Sequence, residues 1–169
     1  MRKIAVVAIL VVALVSWGMV FAFQNEPRGF RGVKWGDPPT EDIVITRRPC
    51  EKYGRSEYKR IEEKMSLGNA EFTEIVYAFH YDQFMAVFLH FDGESNYQVL
   101  ETICRNKFGE PTQERYDQFL WMTVGKVAVM LDYDFLKEKG TVVPTDMGLL
   151  TKSELARKNQ ESKDAKRDW

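Results

Sequence analysis

The sequence predicts an α+β domain: an antiparallel sheet of about five to seven strands with one amphipathic helix packed on a face, preceded by an apolar signal or anchor helix. Three observations predict it. Ile75, Tyr77, Phe79 and Tyr81 alternate with Val76, Ala78 and His80, and Val87, Leu89 and Phe91 alternate with Phe88 and His90. Period-two patterning in aromatic and branched residues is a strand signal. Val99, Leu100, Ile103, Cys104 and Phe108 then fall on one helical stripe, and such a stripe packs on a core. Finally, the twenty residues Ile4–Phe23 carry no charge and follow Arg2 and Lys3.

That amino terminus has the basic, apolar and small-residue regions of a secretory signal. Cleavage after Ala22 would leave Val20 and Ala22 at the recognition positions. An uncleaved anchor is the alternative, because twenty apolar residues can span roughly 30 Å of hydrocarbon as a helix. Both readings place the rest of the chain outside the cytoplasm, periplasmic or extracellular, since the positive flank stays inside. The expected organisation is a signal or anchor over residues 1–22, a polar spacer over 23–29, one domain over 30–150 and a polar helical or disordered tail over 151–169.

Charge excludes one class of partner. The chain carries 24 basic and 25 acidic side chains, a net −1, without the basic excess of a nucleic-acid binder. Residues 23–150 hold 16 basic against 21 acidic groups, so the body is acidic and the tail weakly basic. The partner that the sequence does indicate is the export machinery, through residues 1–22. An envelope partner is expected without being specified, and membrane contact is expected only if the helix stays uncleaved.

From the spacer onward, Val33 and Trp35 suit one short strand that Pro38 and Pro39 stop. The glycines at 29, 32 and 36 do not form a phosphate-cradling pattern. Residues 42–46 read as a strand. Arg47, Arg48, Lys52, Arg55, Lys59 and Arg60 follow. They read either as a patch for anionic headgroups or polymers, or as a solvated edge on which basic residues discourage strand pairing. Cys50 and Cys104 are the two cysteines. In an oxidising compartment they could close a loop of roughly 55 residues, a bond that would stabilise by about 4 kcal/mol. Two buried thiols are the alternative.

In the central hairpin Asp82 and Gln83 are placed at the turn. A two-residue turn there pairs His80 with Met85 and His90 with Ile75, with the imidazoles on opposite faces; a three-residue loop could put both on one face. Ser95 and Gln98 have capping-box spacing at the start of the helix, and Gly109 and Pro111 end it. A second hairpin flanks Gly125-Lys126, and KGTVVPTDMGLL adds a final short strand. Asp132 and Asp134, two apart on one strand face, are candidates for acid–base work or for holding a hard cation. Without a glycine-turn ligand loop beside them, a solvated strand end is the favoured reading. No cofactor is implied and no catalytic or metal-ligating set is assigned.

The opening FRGVKWGDPP, the hairpin EIVYAF…FMAVFLHF, the helix end KFGEP and the later FLW…VAVMLDY resemble a family of small exported bacterial proteins of unknown function. The resemblance covers roughly residues 30–135 and rests on turns, caps and core positions. It implies export and a fold but no chemistry. Three functions are therefore in view: a non-catalytic exported envelope protein binding a partner or ligand, a small periplasmic hydrolase or metal-dependent enzyme, and an anionic membrane-surface binder.

Overall fold

The computed structural model describes residues 23–50, 54–123 and 125–167, without the side chains of 47–50 and 167. Its centre is one eight-stranded antiparallel sheet, β3-β4-β7-β8-β12-β11-β10-β9 in spatial order. These strands are β3 Ile43–Cys50, β4 Arg55–Arg60, β7 Glu74–His80, β8 Gln83–Asp92, β9 Gln113–Arg115, β10 Gln118–Met122, β11 Val127–Asp134 and β12 Lys139–Asp146. Two ribbons flank the sheet, β1 Gly29–Phe30 with β2 Val33–Lys34, and β5 Ser66–Leu67 with β6 Ala70–Glu71. Helix α1 spans Glu94–Phe108 and helix α2 spans Met147–Arg167.

This corrects the expected fold class. The described chain is mostly β-sheet, its main sheet has eight strands where five to seven were expected, and two helices pack where one was expected. The clearest difference in length and place is β12. The expected final short strand is eight residues long and lies mid-sheet between β8 and β11. Pro144 argues against a central strand because it lacks a ladder donor. Here it falls in the gap of the β8 ladder between the pairs Val142–Leu89 and Thr145–Ala86. No described helix is long and apolar enough to cross a membrane. Residues 1–22, on which the signal or anchor helix falls, lie outside the described residues.

The first sheet face is closed by aromatic packing. Tyr77, Phe79, Phe84, Phe91, Trp121 and Tyr133 are fully buried there. Helix α1 covers this face through Tyr97, Leu100, Cys104 and Phe108, each large apolar side chain worth roughly 1.5–3 kcal/mol on burial. The stripe is thus rotated toward Tyr97 from the expected one. Gly109 ends α1 at φ 80°, its N–H bonded to the Arg105 carbonyl, a conformation that glycine tolerates. The capping box does not form. The helix begins at Glu94 behind Gly93 at φ 85°, with no side-chain cap, and Gln98 donates instead to Glu94 Oε1.

The N-terminal segment seals the same face. Phe23 packs on Phe108, Gln24 N–H bonds the Phe108 carbonyl, and Trp35 stacks on Phe84 with ring centroids 4.8 Å apart. The expected polar spacer is therefore docked on the end of α1. Glu63 clasps the ribbons to the core, accepting from the Arg31 guanidinium and from the Tyr77 hydroxyl.

The central hairpin also departs from its expected register. The turn is Tyr81-Asp82, both at positive φ (46° and 59°), and His80 pairs with Gln83. A bulge at Met85 then shifts the ladder, so that Phe79 opposes Phe84 but Ala78 opposes Ala86. His90 consequently faces Glu74, not Ile75. With the bulge, His80 and His90 share the second sheet face despite a two-residue turn, at opposite ends of the hairpin.

Candidate functional site

The second sheet face has a different covering. Helix α2 starts from Asp146, whose carboxylate accepts the Leu149 N–H at 2.8 Å. Leu149 and Leu150 then pack on Ala78, Met85, Ala86 and Phe88. Beyond Leu150 the helix is nearly all polar, so it has little apolar surface to press on the sheet. The result is a cavity of about 290 Å³ under its first turns, with almost wholly apolar walls. Four methionines line it: Met85, Met122, Met130 and Met147. Five methionines fall within the described residues, so this is a marked concentration. Methionine is the side chain best able to reshape around an apolar guest.

Each methionine has a traceable origin. Met122 and Met130 come from neighbouring strands, where Met122 pairs with Ala128 and Met130 with Leu120. Met85 is the extra residue of the β8 bulge, and bulges re-aim side chains in this way. Met147 opens α2, its N–H held by the Lys126 carbonyl at 2.7 Å. At 290 Å³ the cavity sits at the lower end of small-molecule sites, which run about 300–1,000 Å³.

A polar groove of about 420 Å³ adjoins it on the same face and shares two residues with it, Arg55 and Phe88. Glu57, Lys59, Glu74 and His90 line the rest of its charged wall. Lys59 pairs with Glu74 at 2.7 Å, and that hydrogen bond holds the Glu74 carboxyl below its ordinary range. His90 Nδ1 lies 3.0 Å from the Thr141 hydroxyl. The Arg55 guanidinium lies over the Phe88 ring, 5.5 Å from its centroid.

The six basic residues singled out in the sequence are not gathered into one patch. Arg55 and Lys59 point into the groove on the second face. Arg60 lies on the first face, over the Tyr77 ring and ion-paired to Asp42 at 2.8 Å. The side chains of Arg47, Arg48 and Lys52 lie outside the described residues, as does that of Cys50. Cys104 is a buried free thiol that desolvation pushes up to about 12.

The two aspartates serve their strand end. Asp132 accepts from Gln118 Nε2 at 3.1 Å. Asp134 takes Lys137 Nζ at 2.6 Å and the N–H groups of Leu136 and Lys137, and the Lys137 bond is the first cause of its lowered pKa. Among the described residues, no three His, Cys, Asp or Glu side chains converge to hold an ion. A larger groove of about 640 Å³, near Asn25–Arg28, Trp35 and Asp146, is more open to solvent than the methionine cavity.

Sequence reasoning did not single out the cavity. Its one available signal was that Leu120, Met122, Ala128 and Met130 make the solvent-side positions of the second hairpin apolar. No protein-family model, curated protein or solved structure matches the chain.

Proposed function

We propose that this chain is an exported, non-catalytic envelope protein that binds an apolar small ligand in the methionine-lined cavity beneath α2. One observation carries the reading: a 290 Å³ cavity with almost wholly apolar walls, open on a face whose opposite side is fully packed. A concave apolar pocket with a few polar groups at its edge is the usual form of a small-molecule site. Export is supported by the basic and apolar pattern of residues 1–22. The resemblance of residues 30–135 to small exported bacterial proteins points the same way.

Titration with the neutral dye phenylnaphthylamine tests the binding. Its fluorescence rises on entering an apolar site, and Met122→Glu, which puts a carboxylate on the cavity wall, is expected to suppress the rise. An absent signal, or one indifferent to that substitution, contradicts the reading. Mass spectrometry of the protein from a periplasmic fraction tests export and cleavage together. A mature chain beginning at Phe23 is expected, and a chain confined to the cytosol contradicts export.

A further inference from the structure

We infer that the ligand is a single-chain amphiphile with a monoanionic head, its chain among the methionines and its carboxylate against Arg55. The inference rests on the reading that the cavity binds an apolar ligand and adds the class of head group. The two cavities meet at Arg55 and Phe88, which line both. Among the described residues Arg55 is the one charged residue lining the apolar cavity, so a molecule filling it lies against the guanidinium. A ligand that was apolar throughout would strip water from that cation with nothing in exchange, an unfavourable outcome.

Arg55 has donor capacity to give. Its Nε is shielded from solvent and has no hydrogen-bond partner among the described residues. Its carboxylate neighbour Glu57 stands 3.7 Å from Nη2, beyond hydrogen-bond distance. Stacking over Phe88 holds the guanidinium at the junction. Lys59, the other described cation of the groove, is already engaged by Glu74. A planar carboxylate matches the guanidinium fork with two parallel bonds.

The same wall limits the charge of the head. Among the described residues Glu57 and Glu74 face the groove together with Arg55 and Lys59, two carboxylates beside two cations. A dianionic head such as a phosphate monoester would meet two carboxylates, whereas a monoanion can be satisfied by Arg55 alone. The cavity volume favours one chain over two.

The test is displacement of phenylnaphthylamine from the purified protein by dodecanoate, dodecanol and dodecyltrimethylammonium, at a pH where dodecanoate is ionised. Dodecanoate is expected to displace the dye at a concentration about tenfold below dodecanol, the size of one charge-assisted hydrogen bond. The cationic amphiphile is expected to be the weakest. Arg55→Gln should bring dodecanoate to the dodecanol value and leave dodecanol unchanged. Equal displacement by dodecanoate and dodecanol in the unaltered protein overturns the head-group inference but leaves the cavity reading standing. Failure of the dye and all three amphiphiles to bind overturns both. Should Arg55→Gln not fold, as judged by near-ultraviolet circular dichroism, Arg55→Lys replaces it. That variant keeps the charge without the fork, so the preference should shrink without vanishing, and a fully retained preference overturns the inference. Binding to anionic phospholipid vesicles without displacement by monomeric dodecanoate assigns the charge selectivity to a membrane surface and overturns it too.

Discussion

The two faces of the central sheet are built from the same strands yet finished differently. The first carries Phe, Tyr and Trp, interlocked with one another and covered by α1 and the N-terminal segment. Trp121 is fully buried and its indole N–H still finds the Gly109 carbonyl at 2.8 Å. The second carries Met, Ala and Leu under a helix whose apolar surface ends after Leu150. Rigid rings filling every space produce stability, whereas pliable thioethers around an empty volume produce a place that can adapt to a guest. The difference separates a face that holds the fold from the one on which the proposed ligand would sit.

The sharpest way to break this comparison is to cut one side chain from each face. Trp121→Ala is expected to cost about 3–5 kcal/mol by chemical denaturation, the range for a buried aromatic. Met130→Ala, on the half-open face, is expected to cost under about 1.5 kcal/mol and to weaken dye binding. Equal costs would mean that the second face is as much core as the first. Glu63→Gln comes next. Its side chain sits between Arg31 and the Tyr77 hydroxyl, so the substitution should cost about 1–3 kcal/mol. It should leave dye binding unaltered, because the clasp belongs to the first face. Weaker binding in a folded Glu63→Gln protein would couple the faces.

Cys104 offers a kinetic version of the same contrast. Buried on the first face with its thiol pushed up to about 12, it should resist alkylation at pH 8 and react only in denaturant, since the thiolate is the nucleophile. Intact mass before alkylation separates burial from a Cys50–Cys104 bond, which would leave the chain lighter by two hydrogens. Rapid labelling of the native protein would contradict the packing of α1. The smallest effect is expected at Arg157, whose ion pairs with Glu154 and Glu161 lie on the surface of α2. Arg157→Ala should change stability by under about 0.5 kcal/mol. A loss of several kcal/mol would mean that the polar half of α2 is structurally engaged.

Legibility in the sequence divides along the same line. The first face was readable because Ile75, Tyr77 and Phe79 alternate, because Leu100, Cys104 and Phe108 share a helical stripe, and because Gly109 marks a helix end. These are local signals. The turn was misplaced by one residue because Tyr81 and Asp82 adopt positive φ without a glycine to announce it. The capping box failed because Gly93 turns the chain two residues earlier than Ser95 would. The length and mid-sheet place of β12 were missed because Pro144 looks like a strand breaker until the interrupted ladder beside it is known, and β9 was missed because Gln113–Arg115 is short, polar and exposed. The site itself was hidden for a deeper reason. Met85, Met122, Met130 and Met147 become neighbours only through strand order, a bulge and the short apolar reach of α2.

Methyl-selective NMR of the methionines during a dodecanoate titration tests the central claim most directly. Met65, exposed and away from the cavity, is an internal control. The account predicts that the methyl signals of Met85, Met122, Met130 and Met147 shift together and saturate while that of Met65 stays fixed. Shifts confined to Met65, or no saturable shift at the four cavity methionines, would contradict it.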